Sequence, residues 1–297
     1  MSCHIKNTIT CTYEHIGGAQ YQEFSCFYKV LQPFYLQVEK CFDSVEVIHW
    51  TEKNPMIPIV SVIIYVIAIN WGKKIMENKD SFRWRASMAT WNLFLSIFSF
   101  MCMIRVIPHL LHNIATGAPR NILCVSPEET YGYGSTGLWI TLFMFSKFVE
   151  LFDTFFIIVH KKPLIFLHWW HHITVLLYSW FAYVTRTPSS IIFMAVNSSV
   201  HTMMYGYYFL MTIKMKPKWM DPIFITLAQL AQMVVGIIVT GMSTYYYYNS
   251  SDETPCSIDK STLLPCFAMY GSYFFLFLQF FLKRYFKSKK QNLKKLN

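Results

Sequence analysis

Seven stretches of the chain stay apolar for close to twenty residues or longer, separated by short polar connections. They run at about 56–72, 87–111, 138–159, 163–184, 189–212, 220–246 and 262–284. A helix needs about 20 such residues to cross a hydrocarbon core of ~30 Å. The first stretch is the shortest, and Pro55 and Pro58 suit the start of a helix. The third, fourth and fifth contain ionisable residues, which lower their hydropathy and blur their ends. The pattern predicts an all-α, polytopic membrane protein with seven transmembrane helices. Residues 1–55 read as an N-terminal extension, 56–284 as one membrane domain and 285–297 as a basic tail.

Composition agrees with that reading. Of 297 residues 54% are hydrophobic and 14% charged, where a soluble domain has about 25% charged. The opening "MSCHIKNTITCTYEHIGG" lacks the continuous apolar core of a signal peptide. A formal charge of +10 taken alone would point to nucleic acid. The cations instead gather in clusters between apolar runs, so no nucleic-acid partner is expected.

Those clusters give an orientation. The first connection carries Lys73, Lys74, Lys79, Arg83 and Arg85, the third Lys161 and Lys162, the fifth Lys214, Lys216 and Lys218. The second, fourth and sixth are poor in base and carry Glu128, Glu129, Asp252, Glu253 and Asp259. By the positive-inside rule the basic set and the C-terminus are cytosolic, and the extension is lumenal or external. Asn249-Ser250-Ser251 is then a glycosylation sequon in the sixth connection, whereas Asn197-Ser198-Ser199 lies within a span. Cys124 and Cys256 occupy the central parts of connections two and six, so a disulfide between them is one reading. Pairing with Cys3, Cys11, Cys26 or Cys41, or free thiols throughout, are the others.

The polar residues inside the spans share a depth. At 1.5 Å per residue, His168 to His172 lie roughly 8–13 Å from the cytosolic side. Lys147, Glu150 and Asp153 lie roughly 10–20 Å deep, Asn197 to Tyr208 roughly 6–22 Å, and Thr226, Gln229 and Gln232 roughly 10–20 Å. Helical spacing groups Lys147, Glu150 and Thr154 on one face, and His168, His171 and His172 on another. Asn197, His201, Tyr205 and Tyr208 make a third stripe, and Gln229 and Gln232, three residues apart, a fourth. A lone Gln or Asn in a span is most often packing glue, but four stripes at one depth imply a cavity between the helices.

Four motifs occur in order: Lys147-x-x-Glu150-x-x-Asp153-Thr154, His168-x-x-His171-His172, Asn197-x-x-x-His201-x-x-Met204-Tyr205-x-Tyr207-Tyr208 and Thr226-x-x-Gln229-x-x-Gln232. Together they resemble the ELO family of very-long-chain fatty acid elongases. The run "LIFLHWWHHITVLLYSW" is most similar to the branch acting on saturated and monounsaturated acyl chains. The resemblance implies condensation of a long-chain acyl-CoA with malonyl-CoA, giving a 3-oxoacyl-CoA two carbons longer, CO₂ and CoA. It implies no cofactor and no metal beyond these substrates. Implied partners are membrane lipid and the reductase, dehydratase and enoyl-CoA reductase that complete the elongation cycle. A second copy of the chain is left open.

On the same resemblance His171 is the nucleophile that forms an acyl-imidazole, and His201 serves the second half-reaction. Asn197, His168 and His172 are candidate donors to the enolate. Asp153 and Glu150 are candidates to orient histidines, with Lys147 neutralising them or forming a purely structural pair. Candidate substrate contacts are Lys147, Thr154, Met204, Tyr205, Tyr208, Gln229, Gln232 and Lys214. Cations at Lys214, Lys216, Lys218, Lys283 or Arg284 would meet the CoA head, and the acyl tunnel, enclosed by spans two to seven, is expected to stop near Tyr245 to Tyr248.

Two rival readings stand beside it. Clustered histidines also hold the two irons of membrane desaturases or hydroxylases, but only His168, His171, His172 and His201 share the slab. A seven-span receptor or transporter fits the topology, yet its polar pocket would open outward and no inverted halves are visible. His109-x-x-His112 reads as an interfacial pair with no special role. The terminal Lys294-Lys295-Leu296-Asn297 resembles a dilysine retrieval signal, which implies residence in the endoplasmic reticulum membrane.

Overall fold

The computed structural model describes residues 3–7, 11–15 and 20–287. Lys294 and Lys295 lie outside the described residues. Three short strands come first, β1 (Cys3–Asn7), β2 (Thr12–His15) and β3 (Gln20–Gln22), in an antiparallel sheet of that order. Their alternation is too short and too polar for the hydropathy pattern to predict them, so the chain is mostly helical with a small sheet at its start. Short helices α1 (Phe24–Phe27), α2 (Gln37–Lys40) and α3 (Val45–Lys53) complete the extension. Disulfides Cys3–Cys41 and Cys11–Cys26 tie it together.

The membrane domain begins with α4 (Met56–Met76) and α5 (Arg85–Thr116). Two short helices follow, α6 (Pro119–Cys124) and α7 (Pro127–Thr130). The remaining elements are α8 (Gly134–Glu150), α9 (Asp153–Val159), α10 (Phe166–Val184), α11 (Ser190–Thr212), α12 (Pro222–Tyr248) and α13 (Lys260–Phe281). Among the described residues four helices are long and apolar enough to cross a membrane: Met56–Met76, Arg85–Thr116, Pro222–Tyr248 and Lys260–Phe286. The third apolar stretch is divided into α8 and α9, and α10 and α11 carry the histidine and asparagine stripes that lower their hydropathy.

Helix α5 lies along α11, α12 along α13, and α10 against both α8 and α13. Small residues permit the closest approaches: Gly206 faces Ser96 across the α5–α11 contact, and at Gly236 a Cβ would collide with the ring of Tyr270 on α13. Helix α4 stands outside this group and touches α9 and α10. Its buried residues Pro58, Tyr65, Ile69 and Met76 form one stripe, and most of the rest is exposed apolar surface suited to lipid.

The extension is clamped onto the bundle by buried polar groups. The Glu23 carboxylate accepts from Ser135 N at 2.9 Å and Ser135 Oγ at 2.6 Å, which caps α8. Gly134, at φ +62°, leaves room for that carboxylate where a Cβ would strike it. Glu39 pairs with Arg105 at 3.3 Å and accepts from Trp139 Nε1 at 3.1 Å. His109 bonds Thr136 Oγ1 at 2.8 Å, and His112 bonds the Tyr28 hydroxyl at 3.0 Å. The His109 ring also stacks on Phe24 at 4.9 Å, so both histidines, expected to have no special role, hold the extension. At the same end Cys124 and Cys256 form a disulfide, with Tyr246 and Tyr247 packed around it.

Candidate active site

The break at Leu151 and Phe152 determines what the first motif can reach. A continuous helix would keep Lys147, Glu150, Asp153 and Thr154 near one face; instead α8 ends at Glu150 and α9 starts at Asp153. Lys147 Nζ donates to Glu150 Oε1 at 2.6 Å and to Asn197 Oδ1 at 3.4 Å. Ser146 Oγ donates to the same Glu150 oxygen at 3.0 Å. Glu150 Oε2 stands 3.9 Å from His201 Nδ1 and has no hydrogen-bond partner. Asp153 instead accepts from Trp91 Nε1 at 2.6 Å and from the Tyr205 hydroxyl at 2.7 Å. Thr154 Oγ1 bonds His168 Nε2 at 2.9 Å and the Tyr65 hydroxyl at 2.7 Å. Four neighbouring residues therefore reach α4, α5, α10 and α11.

A cavity of about 740 Å³ lies among α5 and α8 to α13. Helix α4 contributes nothing to its wall. His168, His171, His172 and His201 line it, as do Asn197, Glu150, Asp153, Met204, Tyr205, Tyr208, Gln229, Gln232 and Lys214. The imidazoles are close: His168 and His172 have ring centroids 4.5 Å apart, and His171 and His172 5.4 Å. Gln229 Nε2 lies 3.3 Å from Met204 Sδ. Where α5, α11 and α13 meet the basic connections, Arg85, Lys162, Lys214 and Arg284 line the mouth.

The structure relocates several expected residues. Lys147, 1% exposed, and Thr154, 2% exposed, do not line the cavity and act from behind it on Glu150, Asn197 and His168. Asp153 is expected to orient a histidine, but Trp91 and Tyr205 occupy its two oxygens. Lys216, Lys218 and Lys283 are absent from the lining, whereas Arg85 and Lys162, which the sequence presents only as topology charges, are in it. Tyr245 to Tyr248 are not among the lining residues either. Beside the cavity lies a cluster of Met233, Cys266, Met269, Tyr270 and Tyr273, with Trp170, Tyr178 and Phe193 packed on it. Met233 and Phe277 belong to both cavity and cluster. Nothing in the sequence marks Trp91 or Tyr65; buried Asn92, a polar residue inside an otherwise apolar run, is the available signal near Trp91. Among the described residues no group of three or more His, Cys, Asp or Glu is placed to hold a metal ion.

Several membrane-length helices, together with a cavity lined by four histidines and four cations, describe a multi-pass membrane protein with a polar internal site. Residues 50–293 match the ELO: GNS1/SUR4 family. The chain is 39% identical over 222 residues to very long chain fatty acid elongase 6 of Drosophila melanogaster, covering 75% of this chain and 70% of that one. It is 34% identical over 250 residues to very long chain fatty acid elongase 6 of Gallus gallus, covering 84% and 92%. Fatty acid elongase 2 of Trypanosoma cruzi is 39% identical over 210 residues, covering 69% and 75%. The chain belongs to the ELO family and is a fatty acid elongase.

Proposed function

We propose that this elongase condenses a long-chain acyl-CoA with malonyl-CoA through an acyl-imidazole on His171. The observation that carries the proposal is the nucleophile inventory of the cavity. Cys102 and Cys266 are buried away from its wall, and four imidazoles line it. In the first half-reaction a ring nitrogen of His171 attacks the thioester carbonyl, the C–S bond breaks, and CoA leaves with the imidazole proton. In the second, malonyl-CoA loses CO₂ and the enolate carbon attacks the acyl-imidazole. A C–C bond forms, the C–N bond breaks, and the imidazole recovers a proton from solvent. The net reaction consumes one proton and gives a 3-oxoacyl-CoA, CO₂ and CoA.

Negative charge develops on oxygen in both halves, and donors fixed in advance stabilise it. Lysine only donates, so the Asn197 amide must turn its oxygen to Lys147. Its NH₂ is then free to donate to substrate. His201, near Glu150 Oε2, and His172 are further donors, and Met204, Tyr205, Tyr208, Gln229 and Gln232 shape the acyl and malonyl positions. Arg85, Lys162, Lys214 and Arg284 suit the phosphates of CoA, the two guanidiniums by bidentate bonds. The aromatic cluster at Tyr270 and Tyr273 takes the place of Tyr245 to Tyr248 as the stop for the acyl chain.

We read α8 with α9, α10 and α11 as the third to fifth of seven spans. This puts the basic mouth in the cytosol, the clamped extension in the lumen of the endoplasmic reticulum, and Asn249 within reach of glycosylation. The sequence around the histidine box supports saturated and monounsaturated substrates. A 3-oxoacyl product calls for a reductase, a dehydratase and an enoyl reductase downstream.

The test is intact-mass analysis of purified protein with palmitoyl-CoA and no malonyl-CoA. Wild type is expected to gain one acyl group and His171→Ala none. An adduct that persists in His171→Ala moves the nucleophile to another residue, and its absence from active wild type sinks the two-step scheme.

A further inference from the structure

Helix α4 faces away from the cavity, yet one of its side chains reaches a catalytic histidine. Tyr65, 6% exposed on the single buried stripe of α4, bonds Thr154 Oγ1 at 2.7 Å, and the same oxygen bonds His168 Nε2 at 2.9 Å. No other hydrogen bond engages the Tyr65 hydroxyl or the Thr154 hydroxyl among the described residues. The chain holds at most three protons, and their directions are constrained.

Consider the possible polarities. If His168 Nε2 carried hydrogen and donated to Thr154, the Thr154 proton would point to Tyr65, leaving the Tyr65 proton buried without an acceptor. If Tyr65 and His168 both donated to Thr154, the Thr154 proton would be the stranded one. Only the sequence Tyr65 O–H to Thr154 O–H to His168 Nε2 gives every proton an acceptor. A buried donor left unpaired costs more than a reversed bond returns. His168 is thereby an acceptor at Nε2 and, as a neutral ring, carries its hydrogen on Nδ1. That nitrogen has no protein partner among the described residues, and His168 lines the cavity.

We propose that Tyr65 of α4, acting through Thr154, locks His168 in the Nδ1–H tautomer so that it presents a hydrogen-bond donor to the reacting carbonyl oxygen. Tyr65 and Thr154 are positioning residues. The outermost helix thus takes part in the chemistry without lining the cavity. The consequence for rate rests on the condensation reading above; the tautomer itself does not.

The experiment pairs a spectroscopic signature with kinetics on the full-length protein in lipid nanodiscs. Imidazole-¹⁵N spectra, with His168 assigned by loss of its signals in His168→Gln, report which nitrogen is protonated. Wild type is expected as Nδ1–H. Tyr65→Phe, which removes only the hydroxyl, gives a mixture of tautomers and a kcat lower by about five- to tenfold, with both KM values within about twofold. Thr154→Val, which severs the chain, lowers kcat by about a hundredfold. Thr154→Ser keeps a hydroxyl and restores the wild-type signature and most of the rate. Protonation at Nε2 in wild type overturns the proposal, as does Tyr65→Phe with the wild-type signature, whatever its rate. Preparations that make no elongated product but whose tautomer responds to Tyr65→Phe count against the condensation reading and in favour of the relay.

Discussion

Replacing Lys147 by methionine isolates the energetics at the centre of the molecule. Lys147 is 1% exposed, and its ammonium is held by Glu150 at 2.6 Å, by Asn197 at 3.4 Å and over the Phe143 ring at 4.0 Å. Glu150 is 3% exposed, so water offers its carboxylate almost nothing in exchange. Removing one partner of a buried pair costs about 3–5 kcal/mol, because the other charge is left uncompensated. At roughly 2–4 °C per kcal/mol for a chain approaching this size, Lys147→Met should melt on the order of 10 °C below wild type. Lys147→Met with Glu150→Gln removes both charges and should recover most of the loss. Thermal unfolding followed by tryptophan fluorescence in one detergent reads both values. A single variant within about 2 °C of wild type, or a double variant no better than the single, would refute the reasoning.

Three further expectations follow from other parts of the fold. Alanine at Arg85, Lys162 or Arg284 should raise KM for both CoA substrates by about three- to tenfold each and weaken the dependence of KM on salt; an effect confined to kcat would remove these residues from the headgroup site. Gly236→Ala drives a methyl into the Tyr270 ring and should cost about 1–3 kcal/mol in unfolding while shifting the longest acyl product made; an unchanged melting point and product profile would dispose of Tyr270 as the stop. Burial holds the Glu23 carboxyl above its ordinary value of 4.5, against the hydrogen bonds from Ser135 and Ser25. The folded chain therefore keeps this proton longer than the unfolded one. Its stabilising effect is complete below about pH 4.5 and is lost as pH rises through the raised value. The melting point of wild type should thus fall relative to Glu23→Gln as pH rises, and a constant difference would argue against the buried carboxyl.

What could be read from the sequence follows from how far each interaction reaches. Spans such as 87–111 and 220–246 are dictated by apolar length alone, and the histidine slab by depth and the 3.6-residue period. The break between α8 and α9 is not, because Glu150-Leu151-Phe152-Asp153 contains neither proline nor glycine and is compatible with a continuous helix. Partner choice was also hidden. Asp153 looked like a histidine's neighbour, but α5 presents an indole and α11 a phenol, which are satisfied first. Tyr65 was invisible for another reason: a single tyrosine in an apolar helix is common, and its role exists only through a threonine 89 residues later. The strands of the extension left no hydrophobic alternation long enough to read.

The clamp between extension and bundle also bears on how the molecule is made. Glu23 and Glu39 leave the ribosome long before their partners, for Arg105 lies 66 residues after Glu39 and Ser135 lies 112 after Glu23. Until α8 is made neither acid has its full set of partners, whereas Cys3–Cys41 and Cys11–Cys26 lie wholly within the extension. Only when α8 emerges do Ser135 and Trp139 arrive to desolvate the two carboxylates. The extension therefore cannot complete its clamp until α8 is made, and a nascent chain arrested before α8 should display an extension that is still open to proteases.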